Sequence, residues 1–238
     1  MGSSETAYAG RKAAVVLMAG CPWKCGYCNV PLLASGKCYA EEPANFFVDF
    51  MRKNKDDLEA VVFSGGEPLM QGNALAEACK GISEQGFKVK IETNGFYPDS
   101  LRDVLPFLSC VAMDLKTRLE ADDYAKAAGN PVPSRVIFSQ VLRSIAFLKR
   151  AKLYKEFSTT VVPGVNDYPD FIIDMVQQVP FADAFVLQQF EPSEALVDPS
   201  FGQLPRPSRE TLLKLAAVAK HFVSKAVVRA DGEEVEVR

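Results

Sequence analysis

Residues 19–29, AGCPWKCGYCN, hold three of the chain's six cysteines: Cys21, Cys25 and Cys28. Thiolates this densely spaced suit a soft metal, either zinc or an iron–sulfur cluster. A structural zinc site normally takes four ligands. Cys38 could be a fourth, but there is no second C-x2-C pair, and the one histidine, His221, stands far along the chain. The spacing C-x3-C-x2-C therefore predicts a cluster with one iron left unligated by protein. An open iron can bind a small chelating ligand, so the motif has the form of a catalytic site rather than a closed staple. Gly20, Pro22 and Gly26 make the segment a loop able to wrap around such a group.

Other polar and glycine-rich groups stand just after apolar runs: Ser64-Gly65-Gly66-Glu67, Glu92-Thr93-Asn94-Gly95, Asp114-Leu115-Lys116 and Pro163-Gly164-Val165-Asn166. The runs that precede them must do the positioning. Residues 13–19, 60–64, 88–93, 110–115, 157–162 and 184–190 are short, apolar and β-rich, as strands of a covered parallel sheet are. Helical patterns lie between them. Over 135–151, Val136, Val141, Leu142, Ile145 and Leu148 share a face behind a capping Ser134; over 209–224, Leu212, Leu215, Ala216, Ala219 and Phe222 do so behind Pro207 and Ser208, with His221 on the same helix. Six strand–helix units predict an open doubly wound sheet or a partial barrel, because a full eight-fold barrel needs about 250 residues. In either fold, polar strand ends converge on one rim, where a site forms. The tail 226–237 reads as a β hairpin around Asp231-Gly232. No linker divides the chain, so one domain over 1–238 is expected: a flexible lead over 1–12, a partial barrel over 13–222, then the hairpin.

Composition excludes several functions. The chain has 238 residues, 48% hydrophobic and 24% charged, with a formal charge of -3 and no basic cluster interleaved with aromatics, which argues against nucleic acid. No apolar run reaches the roughly 18 residues of a membrane span. A secretory signal pattern is missing, and clustered rather than framework cysteines point to a reducing cytoplasm. Cys38, Cys79 and Cys110 read as incidental core or surface thiols.

The cysteine motif after a first strand, with Tyr27 before the last cysteine, resembles the radical S-adenosylmethionine (radical SAM) superfamily, and SGGEP at 64–68 resembles its second shared motif. FSGGEPLMQ, ETNG, AMDLK, TTVVPGVND and LQQFEP, in that order and spacing, resemble the activating enzymes of glycyl-radical proteins, above all those of anaerobic ribonucleoside-triphosphate reductases. The resemblance runs over about residues 13 to 222. It implies an α/β fold, a partial (β/α)6 barrel of the radical SAM type with a short C-terminal hairpin.

The resemblance also implies cofactors and roles. Cys21, Cys25 and Cys28 would hold three irons of a 4Fe–4S cluster, and the fourth iron would bind the methionyl group of S-adenosylmethionine. Reductive cleavage would then give a 5′-deoxyadenosyl radical. Tyr27 would lie by the adenine, and Gly65 and Gly66 would let backbone approach the cofactor. Glu67 would accept from the methionyl ammonium, with Pro68 stiffening the turn. Glu92, Asn94, Asp114 and Lys116 would line the ribose and methionyl side, Lys116 pairing with a carboxylate. The implied partners are a glycyl-radical protein, whose glycine loop enters the barrel's lateral gap, and a flavodoxin or ferredoxin as electron donor.

Two departures concern the substrate. The third cysteine is followed by Asn29-Val30-Pro31, where the activating proteins usually have His-Asn-Pro, and only TAYAGRK stands where they carry a longer lead. 7-Carboxy-7-deazaguanine synthase is a second resemblance through GGEPLMQ and ETNG, although Asn29-Val30 replaces its usual Asp-Thr. An iron–sulfur or zinc sensor module is the non-enzymatic alternative, and it would form no 5′-deoxyadenosine.

Overall fold

The computed structural model describes residues 2–129 and 132–237. Its strands are β1 Gly2–Tyr8, β2 Arg11–Met18, β3 Ala60–Gly65, β4 Lys88–Thr93, β5 Cys110–Asp114, β6 Tyr154–Val161, β7 Ala184–Gln189, β8 Ala226–Ala230 and β9 Glu233–Val237. They form one nine-stranded sheet in strict chain order. β2 to β8 pair in parallel, while β1 and β9 pair antiparallel on the two edges. The sheet curls into a half-barrel whose edges, β1 and β9, are not paired with each other.

Among the described residues, eight α-helices make the crossovers: α1 Pro31–Ala34, α2 Ala44–Lys53, α3 Gly72–Glu84, α4 Pro98–Val104, α5 Ala121–Ala127, α6 Ser134–Arg150, α7 Pro169–Gln178 and α8 Arg209–Ala219. The outer face of β2 to β8 supplies the main core. Val61, Phe63, Ile91, Met113, Phe157, Phe185 and Leu187 are all buried there beneath helices. The inner face is different: β6 turns Glu156, Ser158 and Thr160 into the barrel between Phe157, Thr159 and Val161. Prolines at the first turns of α1, α4 and α7 start those helices where a missing N–H costs nothing.

Several expectations need correction. Residues 2 to 8 are not a flexible lead; GSSETAY becomes a strand because β2 offers its free edge for pairing. The hairpin across Asp231-Gly232 does form, but its first strand also joins β7 as a seventh parallel strand. In α6, Ser134 is itself the first helical residue and its side chain makes no cap. That helix buries Ile137, Val141, Ser144, Ile145 and Leu148, whereas Val136 and Leu142 face solvent. Ser144 is turned inward by its bond to Gly95 O at 2.7 Å, which a count of apolar residues could not see. α8 ends at Ala219, so His221 lies just beyond it and is exposed, and Phe222 is outside the helix. Ser208 does cap α8, accepting from Thr211 N at 3.1 Å.

Candidate active site

β2 runs directly into the cysteine loop, whose course is set by backbone bonds. Gly20 N donates to Leu33 O at 2.9 Å, Lys24 N to Ala128 O at 2.9 Å, and Cys28 N to Cys25 O at 3.0 Å. From the segment after β7, Asp198 N donates to Gly26 O at 2.9 Å. Trp23 anchors the loop from below, packing edge-on against Phe96 and Tyr124 at 6.1 and 6.0 Å. A Cβ on Gly129 would stand 1.8 Å from Lys24 O, and its φ of +63° already suits glycine, so this residue lets α5 close on the loop.

Loop and strand ends enclose a cavity of about 370 Å³. Cys21, Cys25 and Cys28 share its wall with Tyr27, and Gly65, Gly66, Glu92, Asn94, Asp114 and Lys116 face them. Ten of the twelve residues singled out from the sequence therefore meet at one place, and Glu67 and Pro68 do not.

Glu67 is fully buried behind the rim. Its Oε1 accepts from Leu69 N at 3.0 Å and Thr93 Oγ1 at 2.8 Å, and its Oε2 accepts from Asn94 N at 2.8 Å. Its carboxylate ties the β3 turn to the β4 end and faces protein, not the cavity. Burial pushes this carboxyl up to about 7, against the pull of those three bonds. Pro68 opens a short 3-10 turn and is buried with Leu69. The two glycines also serve protein rather than ligand contacts. A Cβ on Gly66 would stand 2.1 Å from Gly20 O, and one on Gly65 would stand 2.6 Å from Met18 N. That closeness permits Gly66 N to Met18 O and Glu67 N to Gly20 O, both 2.8 Å, which lock the turn against the start of the cysteine loop.

Lys116 pairs with Asp114 and stands 5.6 Å from the centroid of the Tyr27 ring. Asn94 Nδ2 lies 3.7 Å from Cys21 Sγ, an N–H donor aimed at a prospective ligand. Glu92 accepts from Ser64 Oγ at 2.7 Å and pairs with Lys90 at 3.0 Å. The fourth expected strand end does not reach the cavity. Asn166 is buried instead, its Nδ2 bonding Lys116 O, Thr159 Oγ1 and Thr160 O, which ties β6 to the end of β5. Trp23, Asn29, Ser158, Thr160, Gln188 and Arg229 also line the cavity, and sequence reading missed them. The alternation in KEFSTT was the available signal for Ser158 and Thr160.

The donor set asks for a ligand. Among the described residues, Trp23 Nε1, Tyr27 OH and Asp114 Oδ1 are buried without hydrogen-bond partners, each on a cavity residue. Orphaned polar atoms of this kind are rare unless a ligand completes them. Burial pushes the Cys21 thiol up to about 11 and the Cys25 thiol up to about 12, so a metal would have to displace their protons. Among the described residues, no three His, Cys, Asp or Glu side chains converge on one ion position.

The radical SAM superfamily model matches residues 15–175. The chain belongs to the radical SAM superfamily. Radical SAM enzymes use a 4Fe–4S cluster and S-adenosylmethionine, and the three thiols with their unfilled polar neighbours fit that pair. A Methanocaldococcus jannaschii protein, provisionally named a glycyl-radical enzyme activating enzyme, is 32% identical over 97% of this chain and 94% of its own length. A 7-carboxy-7-deazaguanine synthase of Thermococcus kodakarensis is 27% identical over 72% of this chain and 74% of its own. The radical SAM methyltransferase of Sphaerobacter thermophilus shares the fold with a TM-score of 0.70 at 18% identity, over 93% of this chain and 67% of its own. Streptococcus suis SuiB, of known structure with and without S-adenosylmethionine, is less than half spanned by this chain. Among the described residues, no helix is long and apolar enough to cross a membrane.

Proposed function

We propose that this radical SAM enzyme is a glycyl-radical enzyme activating enzyme, which removes a hydrogen atom from the Cα of a glycine in a partner protein. The observation that carries this reading is a second opening of about 490 Å³ between the edge strands β1 and β9. It is lined by Ala7, Ala9 and Gly10 on one side and Glu233 and Glu234 on the other. Glu92, Gln188, Gln189, Glu191 and Arg229 line both this gap and the cysteine cavity, so the two adjoin. A glycine borne on a protein cannot diffuse to the cluster, and a lateral gap suits the entry of a loop. The near full-length likeness to the M. jannaschii protein supports the same reading.

When bound, the cluster and S-adenosylmethionine supply the hydrogen-abstracting radical. The chain holds and orients them. Cys21, Cys25 and Cys28 would ligate three irons, and the amide of Asn94 would donate to the Cys21 sulfur and stabilise its thiolate. Tyr27, set 6.0 Å from Phe201, offers an aromatic wall for the adenine. Asp114 would accept from the methionyl ammonium through its free Oδ1 while Lys116 holds Oδ2 in place. The apolar bodies of Trp23, Tyr27 and Phe190 exclude water from the cavity. A reduced flavodoxin or ferredoxin would deliver the electron, and a reducing cytoplasm is the compartment this chemistry needs.

The test is anaerobic reconstitution with dithionite, S-adenosylmethionine and a glycyl-radical ribonucleotide reductase. The expected result is a glycyl radical signal in the electron paramagnetic resonance spectrum of the reductase, with one 5′-deoxyadenosine formed per radical. 5′-Deoxyadenosine without a protein radical would contradict the reading. The second reading is a 7-carboxy-7-deazaguanine synthase, favoured by the T. kodakarensis likeness. Conversion of a pterin substrate to a deazapurine would establish it instead.

A further inference from the structure

LQQFEP, at the end of β7, is the one motif whose residues have so far only lined walls. Its parts behave differently. Gln189 is buried, its Nε2 donating to Pro207 O at 2.8 Å and its Oε1 accepting from Asp231 N at 2.9 Å, which fixes the β8–β9 turn. Glu191 accepts from Arg206 at 2.6 Å. Gln188 is exposed and has no side-chain hydrogen bond among the described residues, so its carboxamide is free to meet a ligand in the cysteine cavity and the lateral gap, both of which it lines.

The charges around Gln188 are already used. Lys90 holds Glu92 at 3.0 Å and Ala7 O at 3.0 Å. Arg229, the register partner of Gln188, grips both oxygens of Glu156 at 2.8 and 3.0 Å and turns its Nε to Glu234 at 2.8 Å. An anionic group would have to compete with bound carboxylates for either cation, so phosphate or carboxylate recognition is disfavoured. What remains open is neutral: the Gln188 amide, with the Ser158 and Thr160 hydroxyls on the neighbouring strand.

We infer that Gln188 is a specificity-determining residue that reads an uncharged carbonyl and N–H standing side by side on the substrate. Its Nε2 donates to the carbonyl while its Oε1 accepts from the N–H. An extended main-chain residue presents its own N–H and C=O on one side, from two successive trans peptide units, and the lactam edge of a heterocycle presents the same pair within one ring. Under the proposed function the pair belongs to the main chain at the reacting glycine, and that assignment rests on the proposed function.

The test uses anaerobically reconstituted holoenzyme with S-adenosylmethionine and two probes: N-acetylglycine N-methylamide for the peptide unit and pterin for the lactam edge. Ligand-observed NMR gives dissociation constants for the wild type, Gln188→Ala and Gln188→Asn, and circular dichroism establishes that the variants fold. The expected result is that the better wild-type probe is weakened about tenfold by Gln188→Ala, the effect of losing two neutral hydrogen bonds. Gln188→Asn, which keeps the amide on a shorter arm, should lose less. A wild-type preference for pterin with the same Gln188 dependence would support the inference while sinking the glycyl reading. Variants within twofold of wild type, or a wild type that binds neither probe, would overturn the inference.

Discussion

At the cysteine mouth, Trp23 Nε1, Tyr27 OH and Asp114 Oδ1 are buried with no partner among the described residues. Deeper in the same barrel, Lys90, Glu92, Glu156 and Arg229 are all held by ion pairs. Both regions bury polar atoms, and only one satisfies them. A buried charge without a partner costs several kcal/mol, so the inner charges must be paired for the sheet to close. The mouth can leave two neutral atoms and one oxygen of a carboxylate already paired with Lys116 open at a lower cost, and under the proposed function these would be the cofactor's contacts. One region is finished by the chain and the other by what it binds.

Removing a cluster thiol should have the largest effect. Cys25→Ser should lose the cluster and lower S-adenosylmethionine cleavage by at least about a thousandfold, as read by iron content and 5′-deoxyadenosine yield, with little change in cluster-free stability. At the inner charges the effect should fall on stability instead. Arg229→Ala should cost about 3 kcal/mol in urea unfolding, because it strands Glu156, while the paired change Arg229→Met with Glu156→Leu should cost far less. If the double change were as costly as the single one, the pair would not be the unit that matters.

Glu67 stands between the two regions and gives a smaller effect with a pH signature. Glu67→Gln should cost about 1–2 kcal/mol, since an amide cannot accept at all three donors. Because burial raises this carboxyl from the usual carboxylate range to about 7, the folded state holds a proton that the unfolded state has released. Its contribution therefore makes stability fall as pH rises from about 4.5 to 7, and Glu67→Gln should remove that slope from the urea midpoint. The pair at Glu156 runs the other way. Burial raises that carboxyl, but Arg229 and Lys90 outweigh it and hold it below its usual value. Its stabilisation is present above the unfolded carboxylate pKa of about 4.3 and is lost as pH falls through the lower folded value.

Tyr27→Phe should give the smallest effect and the sharpest contrast. Deleting an unpartnered buried hydroxyl should raise cluster-free stability by up to about 1 kcal/mol, while S-adenosylmethionine binding weakens severalfold. A loss of stability would mean that the mouth is satisfied by protein after all.

The contrast also explains what could be read from the sequence. The apolar strands 60–64, 88–93 and 110–115 were legible because their side chains alone specify burial, and the cysteine spacing because three thiols so close in sequence fall on one cavity wall. Gly2–Tyr8 was not, since its polar residues become a strand only through pairing with β2. The roles of Glu67, Gly65 and Gly66 were also hidden. Their partners are backbone atoms of the neighbouring loop, brought close only by the fold. Arg229 and Glu156 lie 73 positions apart, and nothing local joins them.

The most direct test of the central claim is the electron paramagnetic resonance spectrum of the dithionite-reduced, anaerobically reconstituted protein before and after S-adenosylmethionine is added. Three thiolates and one open iron predict a 4Fe–4S signal that shifts on addition, followed by release of 5′-deoxyadenosine. A cluster with four protein ligands, whose signal is indifferent to S-adenosylmethionine, would contradict it.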